Sequence, residues 1–103
     1  MNILYIDTRD NNKIIVKLKT EEKTLEEKSE AKKDKAQAVL PLVEKLLAEA
    51  NLKLIDLDEI KVETGTGSFT GLRVGIAIAN ALSFGGLVKI NGKKVGEIVL
   101  PEY

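Results

Sequence analysis

A glycine-rich turn followed by an almost uniformly apolar stretch occupies residues 63–86, ETGTGSFTGLRVGIAIANALSFGG. After Glu63 this stretch carries one charged residue, Arg73, and it holds six of the eight glycines in the chain. Its second part predicts a helix from about Thr70 to Ser83 that is apolar around most of its circumference. Small residues recur every four positions along that helix, at Gly71, Gly75, Ala79 and Ser83. Such a helix must be buried on most sides, either by a sheet of its own domain or by a second chain.

The glycine turn admits a second interpretation, as a loop that holds a phosphate. The P-loop pattern needs Lys and then Ser or Thr directly after its last glycine, whereas Leu72 and Arg73 follow Gly71. The dinucleotide fingerprint is not met either, because GTGSFTG spaces its glycines as G-x-G-x-x-x-G. A glycine turn that leads into a helix still exposes backbone N–H groups to an anion. The candidates for such contacts are Gly65 and Gly67, with Ser68 or Thr70 as the capping hydroxyl.

The absence of cysteine and histidine from the 103 residues limits the chemistry that the chain can perform. It excludes thiolate nucleophiles, disulfides, zinc sites built on thiolate or imidazole, and a histidine general base. Asp, Glu, Lys and Tyr remain for acid–base chemistry, but we find no residue set that completes a catalytic or metal site, and we predict no cofactor. The formal net charge of zero gives no general attraction to nucleic acid or to anionic lipid.

The length and the first residues set the class of protein that we expect. A chain of 103 residues has the size of one domain with one modest core. The sequence MNILYIDT reaches Asp7 before an apolar stretch of signal-peptide length has formed. The apolar helix is also shorter than the about 20 residues that a membrane span needs. We therefore expect a cytoplasmic protein that does not contact membranes.

Short runs of bulky apolar residues predict the first strands. The run NILYI, which ends at Asp7, indicates a buried strand, and residues 8–12 have the composition of a turn. The next run, KIIVKLKT from residue 13, alternates apolar and polar positions and indicates a second strand. Together they predict a hairpin.

Residues 20–35, TEEKTLEEKSEAKKDK, contain eleven charged residues and a single large apolar residue, Leu25. This composition fits an exposed edge strand, a solvated helix end or a flexible segment, and propensity favours helix or disorder. The lysines at 32, 33 and 35 offer contacts to phosphate, although a short charge run is more often a solvated face.

The remaining segments predict a helix, a strand and a second hairpin. Residues 36–50 repeat apolar positions at intervals of three and four, which indicates an amphipathic helix with Asn51 as its C-cap. Pro41 must either kink this helix or lie in the first turn of a helix that begins later. A short strand is expected around residues 60–63. Asn91–Gly92 or Gly92–Lys93 indicates a tight turn between LVKI and KKVGEIVL.

Three stretches of the chain resemble one protein family. NILYIDT, LPLVEKLLAEANLKLIDLDEI and above all GTGSFTGLRVGIAIANAL are similar to the TsaB (YeaZ) family of bacterial tRNA threonylcarbamoyladenosine biosynthesis proteins. The similarity covers most of the first 86 residues. Family members typically show Gly-Pro-Gly-Ser-Phe-Thr-Gly in the last motif, and Thr66 replaces that proline here.

The resemblance implies a fold and a domain organisation. It implies an actin-like, ribonuclease H-like α/β domain over residues 1–103, in which a mixed sheet is covered by helices. The tail from residue 87 is unlike the family's usual continuation, and we expect its hairpin to close a sheet edge that the second half would otherwise cover. The resemblance also assigns residues 25–30 to a third strand, against the propensity of that segment. The family's second actin-like half would be absent from these residues, so the cleft between halves could not form within one molecule.

The resemblance also implies a function and partners. Family members act as non-catalytic scaffolds or activators that pair with the catalytic subunit TsaD through two helices, which correspond to residues 35–50 and 70–84 here. With the ATPase TsaE they modify tRNAs that read codons starting with A, so tRNA would be contacted indirectly, and a homodimer is a further possibility. The residues expected at the partner interface are Val39, Leu40, Val43, Leu47, Gly71, Leu72, Gly75, Ile78, Ala79 and Leu82.

Two alternatives to the scaffold function follow from the same family. Asp7 and Thr8 lie where actin-like ATPases place their first phosphate loop, which would make the chain an actin-like nucleotide-binding protein or a phosphotransferase fragment. Arg9 and Asp10 follow, however, instead of the glycine and hydroxyl residues that would receive a phosphate. A peptidase function has been attached to relatives of the family, and the lack of His and Cys counts against its usual mechanisms.

Overall fold

The computed structural model describes residues 1–10, 12–30, 35–65, 67 and 69–100 of the chain, and for residues 35, 36 and 69 it describes only the backbone. Three features of the sequence therefore lie outside the described residues. They are the side chains of the lysine cluster at 32, 33 and 35, the threonine at 66, and the possible capping residue Ser68.

Five strands form one mixed sheet in the order β3-β2-β1-β4-β5. The strands are β1 (Ile3–Asp7), β2 (Lys13–Lys19), β3 (Thr24–Glu30), β4 (Glu59–Val62) and β5 (Lys89–Ile90). β2 runs antiparallel to both β1 and β3, whereas β1, β4 and β5 run parallel to one another. The predicted first hairpin and the predicted mixed α/β sheet are confirmed.

Alternation of side chains gives the sheet one fully apolar face. Leu4 and Ile6 of β1 lie opposite Leu18 and Val16 of β2, and all four are buried. Because successive side chains of a strand point to opposite faces, this register places every second residue of both strands on the same side. That side of the sheet carries the core.

Two helices cover this apolar face. They are α1 (Lys35–Glu49) and α2 (Phe69–Gly86), and a short 3-10 helix, Leu54–Asp56, precedes β4. α1 reaches the edge strand β3, since Lys45 Nζ lies 3.0 Å from Glu27 Oε1.

Pro41 lies inside continuous α1 on its exposed side. The alternative that it occupies the first turn of a helix that begins later is therefore wrong. Water can reach the carbonyl that the proline leaves without its helical bond.

β3 shows that tertiary pairing can override local propensity. Within the segment favoured as helix or disorder, residues 24–30 form a seven-residue strand that pairs with β2 along its whole length. Cross-strand charges support the pairing, since Lys17 Nζ lies 3.5 Å from Glu26 Oε1. Charged side chains are typical of an edge strand, because they discourage further strand addition. The third strand implied by the resemblance is therefore present.

The predicted C-terminal hairpin is reduced to its turn. Asn91 and Gly92 have φ of 48° and 75°, as a type I′ turn requires, and the Lys93 N–H donates to the Ile90 carbonyl over 2.9 Å. The ladder beyond the turn is a single bridge between Ile90 and Lys93, and residues 94–100 form no strand. A side chain holds this segment instead, because Asn80 pairs with both backbone polar groups of Val99 at 2.9 and 2.8 Å.

Candidate functional site

The small-residue strip of α2 packs against the end of β1. Thr8, which follows β1, is buried, and its hydroxyl donates to the Gly71 carbonyl over 2.6 Å. A Cβ added at Gly75 would lie 2.1 Å from Thr8 Oγ1, so only glycine fits there. At the far end of the helix the Ser83 hydroxyl donates to the Val88 carbonyl. The strip therefore serves close packing of the helix on its own sheet.

Asp7 is engaged by Arg9 through three hydrogen bonds. The Arg9 Nε, Nη2 and backbone N–H donate to the Asp7 carboxylate over 3.0, 2.9 and 3.0 Å. Partial burial raises the pKa of Asp7, but the hydrogen bonds and positive charge of Arg9 outweigh it and hold that pKa below its usual value. Arg9 Nη1 also lies 3.8 Å from Glu63 Oε2, so this guanidinium bridges two carboxylates.

The glycine turn touches Arg9. Gly67 has a φ of 149°, and a Cβ there would lie 2.7 Å from Arg9 Cβ and 2.9 Å from the Arg9 carbonyl oxygen. The fold thus brings this part of the predicted phosphate site together with Asp7 and Thr8. Arg9 lies directly beside the turn, and the side chains of Asp7 and Thr8 already have hydrogen-bond partners within the chain. Gly65 is half-buried and Thr70 is exposed.

Six of the ten predicted interface residues lie in the core of the chain itself. These are Val39, Val43, Gly71, Leu72, Gly75 and Ala79. A buried residue offers no surface to a partner, because its side of the helix already faces the sheet. Partner contact therefore stays a prediction only for Leu40, which is exposed, and for the half-buried Leu47, Ile78 and Leu82.

Sequence reasoning missed a second stripe on α2. Ala77, Ala81 and Phe84 recur at intervals of four and three and are all exposed, and 74% of the Phe84 surface is accessible. Residues at this spacing share one side of a helix. The sequence signal that could have revealed this stripe is Phe84, a large aromatic residue that lies on the other side of the helix from the small-residue strip. We use the name helix-layer surface for these three exposed residues together with the predicted interface residues that are not buried, of which Leu47, Ile78 and Leu82 also pack in part against the core and Leu40 is exposed.

Among residues 1–10, 12–30, 35–65, 67 and 69–100, no three acidic, histidine or cysteine side chains come together in a group that could hold a metal ion. No helix among these residues has the length and apolarity needed to cross a membrane.

Comparison with protein families and curated proteins gives a consistent set of matches. The family model described as TsaD, tRNA N6-adenosine threonylcarbamoyltransferase, matches residues 13–91. The tRNA threonylcarbamoyladenosine biosynthesis protein TsaB of Bacillus subtilis is 33% identical over 84 residues, which are 82% of this chain and 37% of that protein. The tRNA N6-adenosine threonylcarbamoyltransferase of Chromobacterium violaceum is 46% identical over 55 residues, which are 53% of this chain and 16% of that protein.

A solved structure shares the fold. YeaZ from Pseudomonas aeruginosa superimposes with a TM-score of 0.81 at 30% sequence identity, over 90% of this chain and 43% of that chain. The chain thus spans less than half the length of the relatives that it matches. The actin-like arrangement expected for the five-stranded sheet agrees with this neighbour.

Proposed function

The chain belongs to the TsaD family of tRNA N6-adenosine threonylcarbamoyltransferases and is of its TsaB (YeaZ) type, and from this premise we propose that it acts in the biosynthesis of threonylcarbamoyladenosine in tRNA. The names of the similar TsaB proteins support this pathway, and the match with the YeaZ structure supports a common fold. The protein would work in the cytoplasm, where tRNA is modified.

We propose that the chain is a non-catalytic scaffold that binds a TsaD-like catalytic subunit. The helix-layer surface is the contact region, and the observation that carries this proposal is Phe84, a large aromatic side chain that is 74% exposed beside two exposed alanines. Aromatic residues are enriched in the cores of protein interfaces, where a few of them contribute most of the binding energy. A TsaE-like ATPase joins the assembly, tRNA is reached through the complex, and self-association is the competing use of this surface.

The contacts at the end of β1 support a scaffold over a nucleotide-dependent enzyme. Actin-like chemistry would need the carboxylate of Asp7 to face a metal–phosphate group, but three hydrogen bonds from Arg9 occupy it. Displacing Arg9 would leave a partly buried carboxylate without its partner, which is costly. Nucleotide binding is the alternative function, and a titration with magnesium and ATP distinguishes it from the scaffold function.

The decisive experiment is size-exclusion chromatography with light scattering on the chain alone and mixed with the TsaD-like protein of the same source. We expect a mixed complex that is lost in Phe84→Asp and retained in Ile55→Asp. Ile55 is a matched control because it is 69% exposed but lies in the 3-10 helix, outside α1 and α2. A complex that survives Phe84→Asp would contradict the interface, and the absence of a complex would contradict the scaffold function.

A titration tests the alternative function, nucleotide binding. Magnesium and ATP are added to the chain, and binding is followed by calorimetry. Under the scaffold proposal Asp7→Ala leaves the mixed complex intact, and the chain takes up no nucleotide. Magnesium-dependent ATP binding that collapses in Asp7→Ala would instead establish the nucleotide-binding function.

A further inference from the structure

The dipeptide Asn91–Gly92 differs chemically from the other asparagine positions of the chain. Of the asparagines in the sequence, only Asn91 is followed by glycine. Glycine has no side chain to shield its backbone nitrogen. That nitrogen can therefore attack the side-chain carbonyl carbon of the asparagine before it, with less steric hindrance than any other residue would impose. The sequence thus marks Asn91 as the position where deamidation is fastest in the unfolded chain.

Deamidation at such a position is an intramolecular substitution followed by hydrolysis. The Gly92 nitrogen loses its proton to hydroxide and forms a bond to Cγ of Asn91. The bond from Cγ to Nδ2 then breaks, and the nitrogen leaves as ammonia with a proton from water, so that a succinimide ring remains. One water molecule opens the ring at either carbonyl, which gives aspartate or isoaspartate at position 91. Water is the only co-reactant that these steps consume.

The fold holds both reacting groups in hydrogen bonds. Asn91 Oδ1 accepts from the Val62 N–H over 2.8 Å, and Asn91 Nδ2 donates to the Val62 carbonyl over 2.9 Å. We call this pair of bonds the clasp. The Gly92 N–H donates to Glu59 Oε2 over 2.7 Å. Because the attack needs a deprotonated nitrogen aligned with Cγ, these bonds must open before the reaction can proceed.

Glu59 opposes the reaction by its charge as well as by its hydrogen bond. The attacking species is the Gly92 nitrogen without its proton, which carries negative charge. A carboxylate oxygen at 2.7 Å repels that charge, whereas it stabilises the protonated N–H. Glu59 therefore protects the turn for as long as β5 lies on β4.

Conversion of Asn91 changes the contacts that hold β5. Aspartate keeps the acceptor for the Val62 N–H but replaces the donor by an oxygen that faces the Val62 carbonyl. It also adds a negative charge next to Gly92, whose N–H bonds Glu59. Isoaspartate adds a methylene group to the main chain where the Asn91 N–H donates to the Ile60 carbonyl over 2.9 Å, and this disturbs the register. Both products weaken the attachment of β5 to β4.

We propose that Asn91 is a self-modification site that the fold protects: deamidation takes place when the end of β5 separates from β4, and the product hinders the return of the strand. β5 has two residues and lies at the edge of the sheet, so its separation is a local opening rather than global unfolding. The modification therefore accumulates with the time that this edge spends open. It does not depend on the scaffold function proposed above.

The test compares deamidation of the whole chain in buffer and in urea at one pH and temperature. Trypsin releases residues 90–93 as one peptide, and mass spectrometry with chromatography separates its asparagine, aspartate and isoaspartate forms. We expect conversion at Asn91 to be about thirtyfold slower in the folded chain, which corresponds to two hydrogen bonds of ordinary net strength. Asn51 is the internal control. It also has a positive φ, 58°, but it precedes Leu52 and should convert far more slowly in urea.

Variants of Glu59 separate protection by this side chain from a general change in stability. Glu59→Ala leaves the Gly92 N–H without its acceptor and should raise the rate at Asn91 several-fold in the folded chain but not in urea. Glu59→Gln keeps an acceptor without the charge, so its rate should be intermediate. Glu22→Ala removes an exposed carboxylate between β2 and β3 and should leave the rate unchanged. Circular dichroism verifies that each variant is folded in buffer.

Four results would overturn the proposal. They are equal rates in the folded and unfolded chain, no conversion at Asn91 in urea, conversion of Asn51 as fast as that of Asn91 in urea, and a slower reaction in Glu59→Ala than in the unchanged chain. The last result would make Glu59 a base in the reaction instead of a protecting group. Unchanged hydrogen exchange at the Val62 amide of the converted chain would likewise refute the weakening of β5.

Discussion

At the scale of single residues, two close contacts determine how α2 lies on the sheet. The Thr8 hydroxyl bonds to Gly71, and Gly75 leaves room for the Thr8 side chain. Sequence periodicity alone would make Gly75→Leu a probe of a partner interface. The structure instead makes it a probe of the fold, because the substituted side chain would meet Thr8 inside the chain.

Gly75→Ala is expected to destabilise the chain, and Gly85→Ala is its control in the same helix. The Cβ at Gly75 would lie 2.1 Å from Thr8 Oγ1, whereas nothing lies within 4 Å of a Cβ at Gly85. Overpacking and loss of the Thr8 bond should cost about 3 kcal/mol of unfolding free energy. Gly85→Ala should add about 0.5–1 kcal/mol through helix propensity. Urea unfolding followed by circular dichroism measures both, and similar effects at the two sites would contradict the packing described here.

The Asp7–Arg9 pair predicts a pH dependence of stability. The pKa of Asp7 in the folded chain lies below its usual value of about 3.9. Such a group stabilises the fold at pH above its unfolded pKa, and the contribution is lost as the pH falls through the folded pKa. The stability lost in Arg9→Gln should therefore be largest near neutral pH and should shrink below about pH 4.

Urea unfolding at a series of pH values checks this expectation. Lys53→Gln serves as the control, because it also removes one exposed positive charge but touches no carboxylate through its side chain among the described residues. Its effect should be small and nearly constant over the same range. If the unfolding free energy lost in Arg9→Gln is the same at acidic and neutral pH, the Asp7–Arg9 pair is not a source of stability.

At the scale of elements, two asparagine side chains make backbone hydrogen bonds that a neighbouring strand would usually make. Asn91 accepts from the Val62 N–H over 2.8 Å and donates to the Val62 carbonyl over 2.9 Å, and so it extends the two-residue β5 along β4. Asn80 holds the segment around Val99 in the same way. Asparagine side chains thus replace strand pairing at two points of residues 87–100, which contain little regular structure.

Asn91→Ala is expected to release β5 from β4. The change removes two hydrogen bonds to partly buried backbone groups and places alanine at a φ of 48°. We expect a loss of about 2 kcal/mol of unfolding free energy and faster hydrogen exchange at the Val62 amide. Asn91→Asp keeps the acceptor and tolerates the turn, so its effect should be intermediate. Unchanged exchange at Val62 in both variants would show that the clasp is dispensable.

At the scale of the whole molecule, the sheet separates two surfaces of different chemistry. The helix side exposes the apolar side chain of Phe84 near the end of α2, whereas the opposite face of the sheet carries lysines and carboxylates around the half-buried Tyr5 and Ile15. Under the scaffold proposal above, the TsaD-like partner contacts the helix side of the sheet.

The sequence by itself determined the elements whose patterns are local. A run of bulky apolar residues predicted β1, alternating apolar residues predicted β2, the three-and-four repeat predicted α1, and Asn91–Gly92 predicted a tight turn. The family resemblance also indicated the mixed sheet. These features could be predicted because their physical causes, side-chain direction and backbone conformation, act over a few residues.

Only the tertiary structure decided the rest. β3 is a strand because β2 offers it a complete set of backbone partners, a cause that lies outside the segment itself. α2 is apolar on most sides, so its sequence could not tell which stripe faces the sheet, and the steric fit of Gly75 against Thr8 decided it. The same fit placed the predicted interface strip inside the core and turned Phe84 outward. Contacts between residues distant in sequence control these choices, and local patterns do not record them.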